Sequence, residues 1–163
     1  MTIVLKEVLE TEKTILENLY SLYLHDLSKF TSLIDVGEDG SFQYEELDEF
    51  WGIEGLSPYF IMLDNNIIGF ILLLERPFLN KEYDLGVNDI FILNKYKGRG
   101  LGRQAIETLF KEKKGKYFVI ELMENKPAIS FWKKIYSGLH IQFEEKQDVI
   151  DDEQCFIQTF IIE

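Results

Sequence analysis

Cysteine is nearly absent: Cys155 is the one thiol in 163 residues. That excludes an intramolecular disulfide and any zinc site built from several cysteines. In the strand-like run EQCFIQTFII it reads as a buried core thiol. Histidine is almost as scarce. His25 and His140 lie far apart in different kinds of segment, so no spacing supports a His-based metal site or a Cys–His catalytic pair. No apolar run approaches the ~18 residues of a membrane span. The opening residues MTIVLKEVLE lack both a basic leader and a small-residue cleavage site, so a cytoplasmic protein is expected. No Pro/Gly/Ser-rich linker, internal repeat or low-complexity tract divides the chain, and a single domain over residues 1–163 is expected. Excess positive charge is missing too. The formal net charge of −12 argues against nucleic-acid or anionic-membrane partners.

What is present describes an ordinary globular core. The chain is 46% apolar and 14% aromatic, and a chain of this length can bury roughly 70% of its unfolded surface without a disulfide or metal. Charge is unevenly distributed. Residues 95–116 carry eight of the seventeen Lys and Arg against two acids, whereas residues 35–54 carry eight acids and no base. These are either two solvated faces or an anion site and a cation site.

Periodicity predicts a strand over 2–8 and an amphipathic helix over 12–30, from Ile15, Leu16, Leu19, Leu22, Tyr23, Leu27 and Phe30. A short helix is expected near 44–51. Two apolar β-rich runs around Asp64-Asn65-Asn66 predict a hairpin. Another strand spans 83–93. Helical spacing returns at Leu101, Ala105, Leu109 and Phe110, followed by the strand KYFVIEL. Asn125 and Pro127 open a last helix with an N-cap and a first-turn proline. Two strands, near 139–146 and 153–162, close the chain and are able to pair two copies into a homodimer. Meander and crossover elements together predict a three-layer α+β fold. Its central sheet is mixed, mostly antiparallel, of about seven strands, with helices on both faces.

The segment NKYKGRGLGRQA, residues 94–105, concentrates Gly98, Gly100 and Gly102 with Lys97, Arg99 and Arg103. The third glycine is one residue early for the dinucleotide pattern G-x-G-x-x-G, and the P-loop pattern fails because Arg103 follows where Gly-Lys is needed. A strand, a basic glycine-rich turn and a helix start remain. Backbone N–H groups without Cβ obstruction there can wrap an oxygen anion; a plain glycine-rich turn is the alternative. DVGEDGSFQYEE, residues 35–46, mimics a calcium loop through Asp35, Asp39, Gly40 and Glu46, but Gly37 cannot ligate at the third position. An acidic surface loop is the default there, and no metal is expected.

Taken together, IIGFILL, DIFILNKYKGRGLGRQAI and NKPAISFW resemble the GCN5-related N-acetyltransferase superfamily over roughly residues 58–140. The signature [Q/R]-x-x-G-x-[G/A] maps onto Lys97-Gly98-Arg99-Gly100-Leu101-Gly102, with lysine at its first position. The later N-x-x-A-x-x-[FL]-Y pattern maps onto Asn125, Ala128, Phe131 and Trp132. The N-terminal helix and DGSFQYEELDEFW resemble a bacterial branch whose acceptors are mostly undefined.

The resemblance implies an acyl-CoA N-acyltransferase fold and acetyl-coenzyme A as cosubstrate. It implies a pyrophosphate held across Lys97–Arg103. The pantetheine arm would pair with the backbone of Ile90, Phe91 and Ile92 where two strands splay apart, with Asn125 on its other side. A strand-end N–H would polarise the thioester carbonyl. The implied acceptor is a small-molecule or peptide primary amine attacking directly, lying over the first helix and residues 31–56. The acidity of that segment favours a cation. The Glu and Tyr that serve as base and acid in many relatives are Asn88 and Trp132 here. Asp89 is then the expected base if a bulge turns it to the right face, and Tyr136, one turn beyond Trp132, the expected acid. Glu82 and Asp84 are further base candidates. The missing pair leaves open a coenzyme-binding regulatory module without turnover.

Overall fold

Ten elements follow one another: β1 (Ile3–Glu7), α1 (Lys13–Leu27), β2 (Leu56–Leu63), β3 (Asn66–Glu75), β4 (Leu85–Ile92), α2 (Leu101–Glu112), β5 (Gly115–Leu122), α3 (Lys126–Gly138), β6 (Phe143–Ile150) and β7 (Glu153–Ile162). The computed structural model describes residues 2–42, 45–80 and 82–163. Tyr44, where the short acidic helix was expected to begin, lies outside them; a 3-10 turn covers Glu45–Trp51. Among the described residues no helix is long and apolar enough to cross a membrane.

The strands form one sheet in the order β1-β2-β3-β4-β5-β7-β6. Neighbours are antiparallel except β4 and β5, which run parallel and are joined by the crossover helix α2. Two tight turns set the hairpin registers. Leu63 faces Asn66 across Asp64 (φ 49) and Asn65 (φ 69), and Ile150 faces Glu153 across Asp151 (φ 50) and Asp152 (φ 65). Asp and Asn tolerate this left-handed backbone better than most residues, and its twist matches the flanking strands.

Each face of the sheet carries its own core. Leu16 of α1 and Leu47 of the 3-10 turn pack on Phe60, Phe70, Leu72 and Phe91. Leu101, Ala105, Ile106 and Leu109 of α2, with Trp132 and Ile135 of α3, fill the other face against Ile71, Val87 and Val119. Each fully buried aliphatic or aromatic side chain contributes about 1.5–3 kcal/mol.

Two predicted boundaries move. Helix α1 ends at Leu27, not residue 30, because the bonding tightens there: Ser28 N–H still reaches Leu24 O, but Lys29 and Phe30 donate only three residues back, to Asp26 O and Leu27 O, and Ser28 Oγ donates to His25 O. The strand expected near 139–146 is Phe143–Ile150, since Leu139–Gln142 carry the chain out of α3. This edge strand is exposed almost throughout, so no alternation of apolar residues marked it.

The β4–β5 pairing is short. It covers Leu85–Val87 against Tyr117–Val119 and stops. Beyond it, β4 stays with β3 as far as Ile92 opposite Gly69, and β5 stays with β7 as far as Leu122 opposite Cys155. The two strands therefore splay. Gly69 keeps β3 close to β4: an added Cβ would lie 1.9 Å from Phe91 O. Because the obstacle is backbone, Gly69→Ala is expected to destabilise by at least the about 1–3 kcal/mol typical of overpacking. It should also weaken the coenzyme binding that the resemblance implies along β4. Urea unfolding and a coenzyme A titration check both.

Candidate active site

The cleft between the splayed strands begins at a bulge. Leu72 pairs with Asp89 and Leu73 with Val87, so Asn88 is the extra residue on β4. The bulge shifts the side-chain phase. Val87, Ile90 and Ile92 face α2 and α3, while Asp89 and Phe91 face α1. On the β5 side, the backbone of residues 88–92 has no strand partner.

Three cavities meet here. One of about 740 Å3 runs along Ile90 and Ile92 between the start of α2 and the face of α3. A second, of about 490 Å3, lies against the end of α1, with Lys97, Phe91 and Asn125 on its wall. The third, about 400 Å3, passes between the strands and opens toward α1 and the β6–β7 turn. Ile90 lines all three.

The glycine-rich segment forms one end of the first of these cavities, with Lys97, Gly98, Gly100, Leu101, Gly102 and Arg103 on its wall. Gly98 (φ 75) and Gly100 (φ 74) adopt the left-handed backbone, and a Cβ on either would meet nothing within 4 Å. Their lack of side chains keeps this backbone open. Gly102 serves packing: its Cβ would come within 2.9 Å of the Phe131 ring on α3. No side chain caps α2, so its first amides have no intrahelical partner and offer an anion site with the helix dipole behind it. Arg99 is not on the wall; its guanidinium stands 5.9 Å from the Tyr96 ring. Lys97 reaches toward Asp26 of α1 at 3.6 Å and lies over the Phe91 ring. This half-exposed pair is worth under about 1 kcal/mol, so an incoming anion can take the lysine at little cost. Arg103 bonds Glu107 at 2.8 Å and packs on Gly138. Asn125 uses Oδ1 to cap α3, accepting from Ala128 N–H at 3.2 Å.

Asp89 lines the third cavity. Asn88 Nδ2 donates to its Oδ2 at 2.7 Å, and the Tyr23 hydroxyl bonds it from α1. The residue keeps some contact with solvent, yet its apolar surroundings push the carboxyl up to about 6, against the pull of those two hydrogen bonds. The Tyr23 hydroxyl is raised well above its ordinary range by burial and by the Asp89 charge. Periodicity had assigned Tyr23 only to a helix stripe.

Glu121, at the end of β5, is a second carboxyl on this wall and one the sequence reading passed over. It is 4% exposed, and burial, then the Glu145 charge, push it up to about 8. A glutamate in the otherwise apolar run of a buried strand was the signal available. Tyr136 is placed elsewhere. It is 1% exposed, lines none of the three cavities, and donates its hydroxyl to Gln158 Oε1 at 2.7 Å. Gln158 Nε2 donates in turn to Glu145 at 2.9 Å. Trp132 takes the position on the cavity wall. Glu82 and Asp84 line none of the three cavities, and Asp84 bonds Lys116 N–H and Arg76 at the far end of β5.

Of the segments over which the acceptor is expected, only part reaches this wall. Tyr23, Leu27, Thr31, Leu33 and Ile34 line the third cavity, but none of the described acids of 35–54 does. Its carboxylates come from Asp89, Glu121, Asp151 and Glu153. Thr31 Oγ1 bonds Glu153, tying the end of α1 to the β6–β7 turn. In the calcium-like segment, Asp35 accepts from Val36 N–H and Asp39 from Ser41 N–H. Among the described residues no three His, Cys, Asp or Glu groups are placed to hold a metal.

Comparison with known proteins agrees with this geometry. A sequence model described as the Acetyltransferase (GNAT) family matches residues 16–136. No curated protein matches the chain. Among solved structures, an acetyltransferase from Thermus thermophilus is 16% identical, with a TM-score of 0.69 over 98% of this chain and 96% of that one. The ribosomal-protein-S18-alanine N-acetyltransferase from Escherichia coli is 14% identical, TM-score 0.64, over 99% and 95%. AAC(6')-Ib, in complex with ribostamycin and coenzyme A, is 18% identical, TM-score 0.67, over 99% and 94%. At these identities the three similarities establish the fold.

The raised carboxyls make a stability prediction. In the folded protein Glu121 holds a proton that the unfolded chain, at the ordinary glutamate value, has already released. Its contribution to stability is therefore present at low pH and lost as pH rises through about 8. Glu121→Gln removes the titration. The Tm of the variant minus that of wild type should grow between pH 6 and 9; a difference independent of pH would refute the assignment.

Proposed function

The chain belongs to the GNAT acetyltransferase family and is an N-acetyltransferase with acetyl-coenzyme A as donor, and from that premise we propose that it acetylates a cationic primary amine by direct attack. The observation that carries this reading is the third cavity. Carboxyls from three parts of the fold line it, no Lys, Arg or His among the described residues does, and it shares Ile90 and Trp132 with the glycine-bordered groove. Opposite charge preferences thus meet across one strand.

The residues fit the donor. The open backbone at Gly98 and Gly100 and the uncapped start of α2 suit the pyrophosphate. Lys97 and Arg103 add charge. The unpaired β5-side edge of Ile90–Ile92 accommodates the pantetheine amides as a strand would. The side chain of Phe91 stays in the α1-side core, so only its backbone serves. Asn125 is left its amide nitrogen for the arm, since Oδ1 caps α3. Arg99 takes no part in this reading. Coenzyme A supplies a thioester carbonyl and a thiol leaving group.

Asp89 is the base. An alkylammonium has a pKa of about 10.4, so a proton must leave before the nitrogen can attack. A carboxyl near 6 is mostly ionised at neutral pH yet more basic than an ordinary aspartate. Tyr23 and Asn88 fix its orientation. The β5-side edge of residues 88–92 has no strand partner, and in this reading an N–H on that edge receives the carbonyl oxygen. Tyr136 is not used here, because its hydroxyl is engaged by Gln158 away from the cavities.

Titration with coenzyme A and an acetyl-transfer assay on an amine panel test the whole reading. Tight binding without transfer to any amine would favour the regulatory module. Gly100→Glu should keep the fold, with a backbone cost of about 1–2 kcal/mol, and abolish coenzyme binding. For kcat/KM, wild type should show an ascending limb near pH 6 that Asp89→Asn loses, together with about 10²–10⁴-fold in rate.

A further inference from the structure

We propose that two copies of this chain pack together through the open face of β5, β7 and β6, about a two-fold axis parallel to the strands. The inference is independent of the acetyltransferase reading. Tyr117 and Val119 of β5 and Phe160 of β7 point into the core under α2 and α3. Strand alternation therefore turns Lys116, Phe118 and Ile120, with their β7 neighbours Ile161, Thr159 and Ile157, to the opposite face. On that side α1 covers β2, β3 and β4 through Phe60, Phe70 and Phe91. Among the described residues, neither core takes in Phe118, Ile120, Ile157 or Ile161. Ile161 is 63% exposed and Ile120 38%. The Phe118 ring lies on Gly86 and 4.9 Å from the Tyr83 ring, which extends the apolar surface toward the start of β4. A contiguous apolar face of this kind is an interaction surface.

Charge decides what covers it. On β6, Glu144 lies beside Thr159 and Lys146 beside Ile157; on β5, Lys116 lies beside Ile161. Among the described residues, none of Glu144, Lys146 and Lys116 has an ion pair within its own chain. Each copy has a formal net charge of −12, so two copies repel unless their contact is locally balanced. Here bases and an acid share one apolar patch, which can complement itself. Helix α1 rises along one side of the patch. A second sheet at the usual ~10 Å separation can therefore lie flat only with its own α1 beyond the first copy's β6. That orientation lays β7 on β7 of the second copy, and β5 on its β6. Ile157 and Ile161 then meet their own counterparts near the axis. The Lys146 stem covers Ile120 of the second copy. Glu144 comes within reach of Lys116 of the second copy, one step along the strand, and the axis makes this pair twice.

Sedimentation equilibrium of the full chain tests this with no ligand and no turnover. Wild type should reach twice the mass of one chain as its concentration rises through the micromolar range. Ile161→Lys, at an exposed position, sets two like charges near the axis and should weaken the dimer at least about tenfold, with the circular dichroism spectrum unchanged. Lys116→Glu and Glu144→Lys should each weaken it severalfold. The double variant restores opposite charges on both sides of the axis and should return to within about threefold of wild type. A wild type that stays monomeric into the millimolar range overturns the inference. So does a dimer that Ile161→Lys and Lys116→Glu leave intact, the result expected of pairing along the β6 edge, which uses neither residue. A double variant no tighter than the weaker single variant overturns it as well, because Lys116 and Glu144 then do not meet across the axis.

Discussion

The parallel pairing of β4 and β5 ends after Val87 and Val119, and the rest of the site follows from that limit. Each strand continues with its other neighbour, β4 with β3 and β5 with β7. Two half-sheets, each held by its own antiparallel ladder, thus diverge from a short common segment. Twist widens the gap with every residue. The backbone edge left free along Ile90–Ile92 can pair with an extended ligand. The α3 N-terminus, capped by Asn125, stands at the opening. The bulge at Asn88 adds a turn of phase, without which Asp89 would not lie against Tyr23.

Charge is arranged around this gap by local rules. On one side, Gly98 and Gly100 expose backbone N–H groups at an uncapped helix start, a place where negative charge is stabilised. On the other, carboxyls from β4, β5 and the β6–β7 turn converge without a basic residue among them. Lys97 touches both regions, spanning from the glycine loop to Asp26 at the end of α1.

Much of the fold was readable because its signals are local. The α2 and α3 stripes, the Asn125 cap and the Asp64-Asn65 turn each depend on residues a few positions apart. So does the glycine segment, where left-handed backbone and close helix packing ask for glycine at fixed spacing. The edge strand β6 was misplaced because its solvent-exposed residues carry no apolar alternation. The acids of 35–54 stood out by density, yet those described lie off the cavity, with Asp48 paired to Lys13. Density along a chain measures solvation as readily as function.

Motifs whose residues act within one turn or one helix start were enough to point to the family and the donor, and to the expectation of a phosphate site across Lys97–Arg103. Packing decided which side chains line the cavity proposed for the acceptor. Asp89 and Tyr23 come from β4 and α1 and meet only because a bulge and a helix docking bring them together, beside the cavity that the strand divergence opens. Burial decided the rest. It holds Tyr136 in a hydrogen-bond chain with Gln158 and Glu145, and it pushes the Glu121 carboxyl up. Neither outcome is local, because solvent exclusion depends on everything packed around a group and not on its neighbours in sequence.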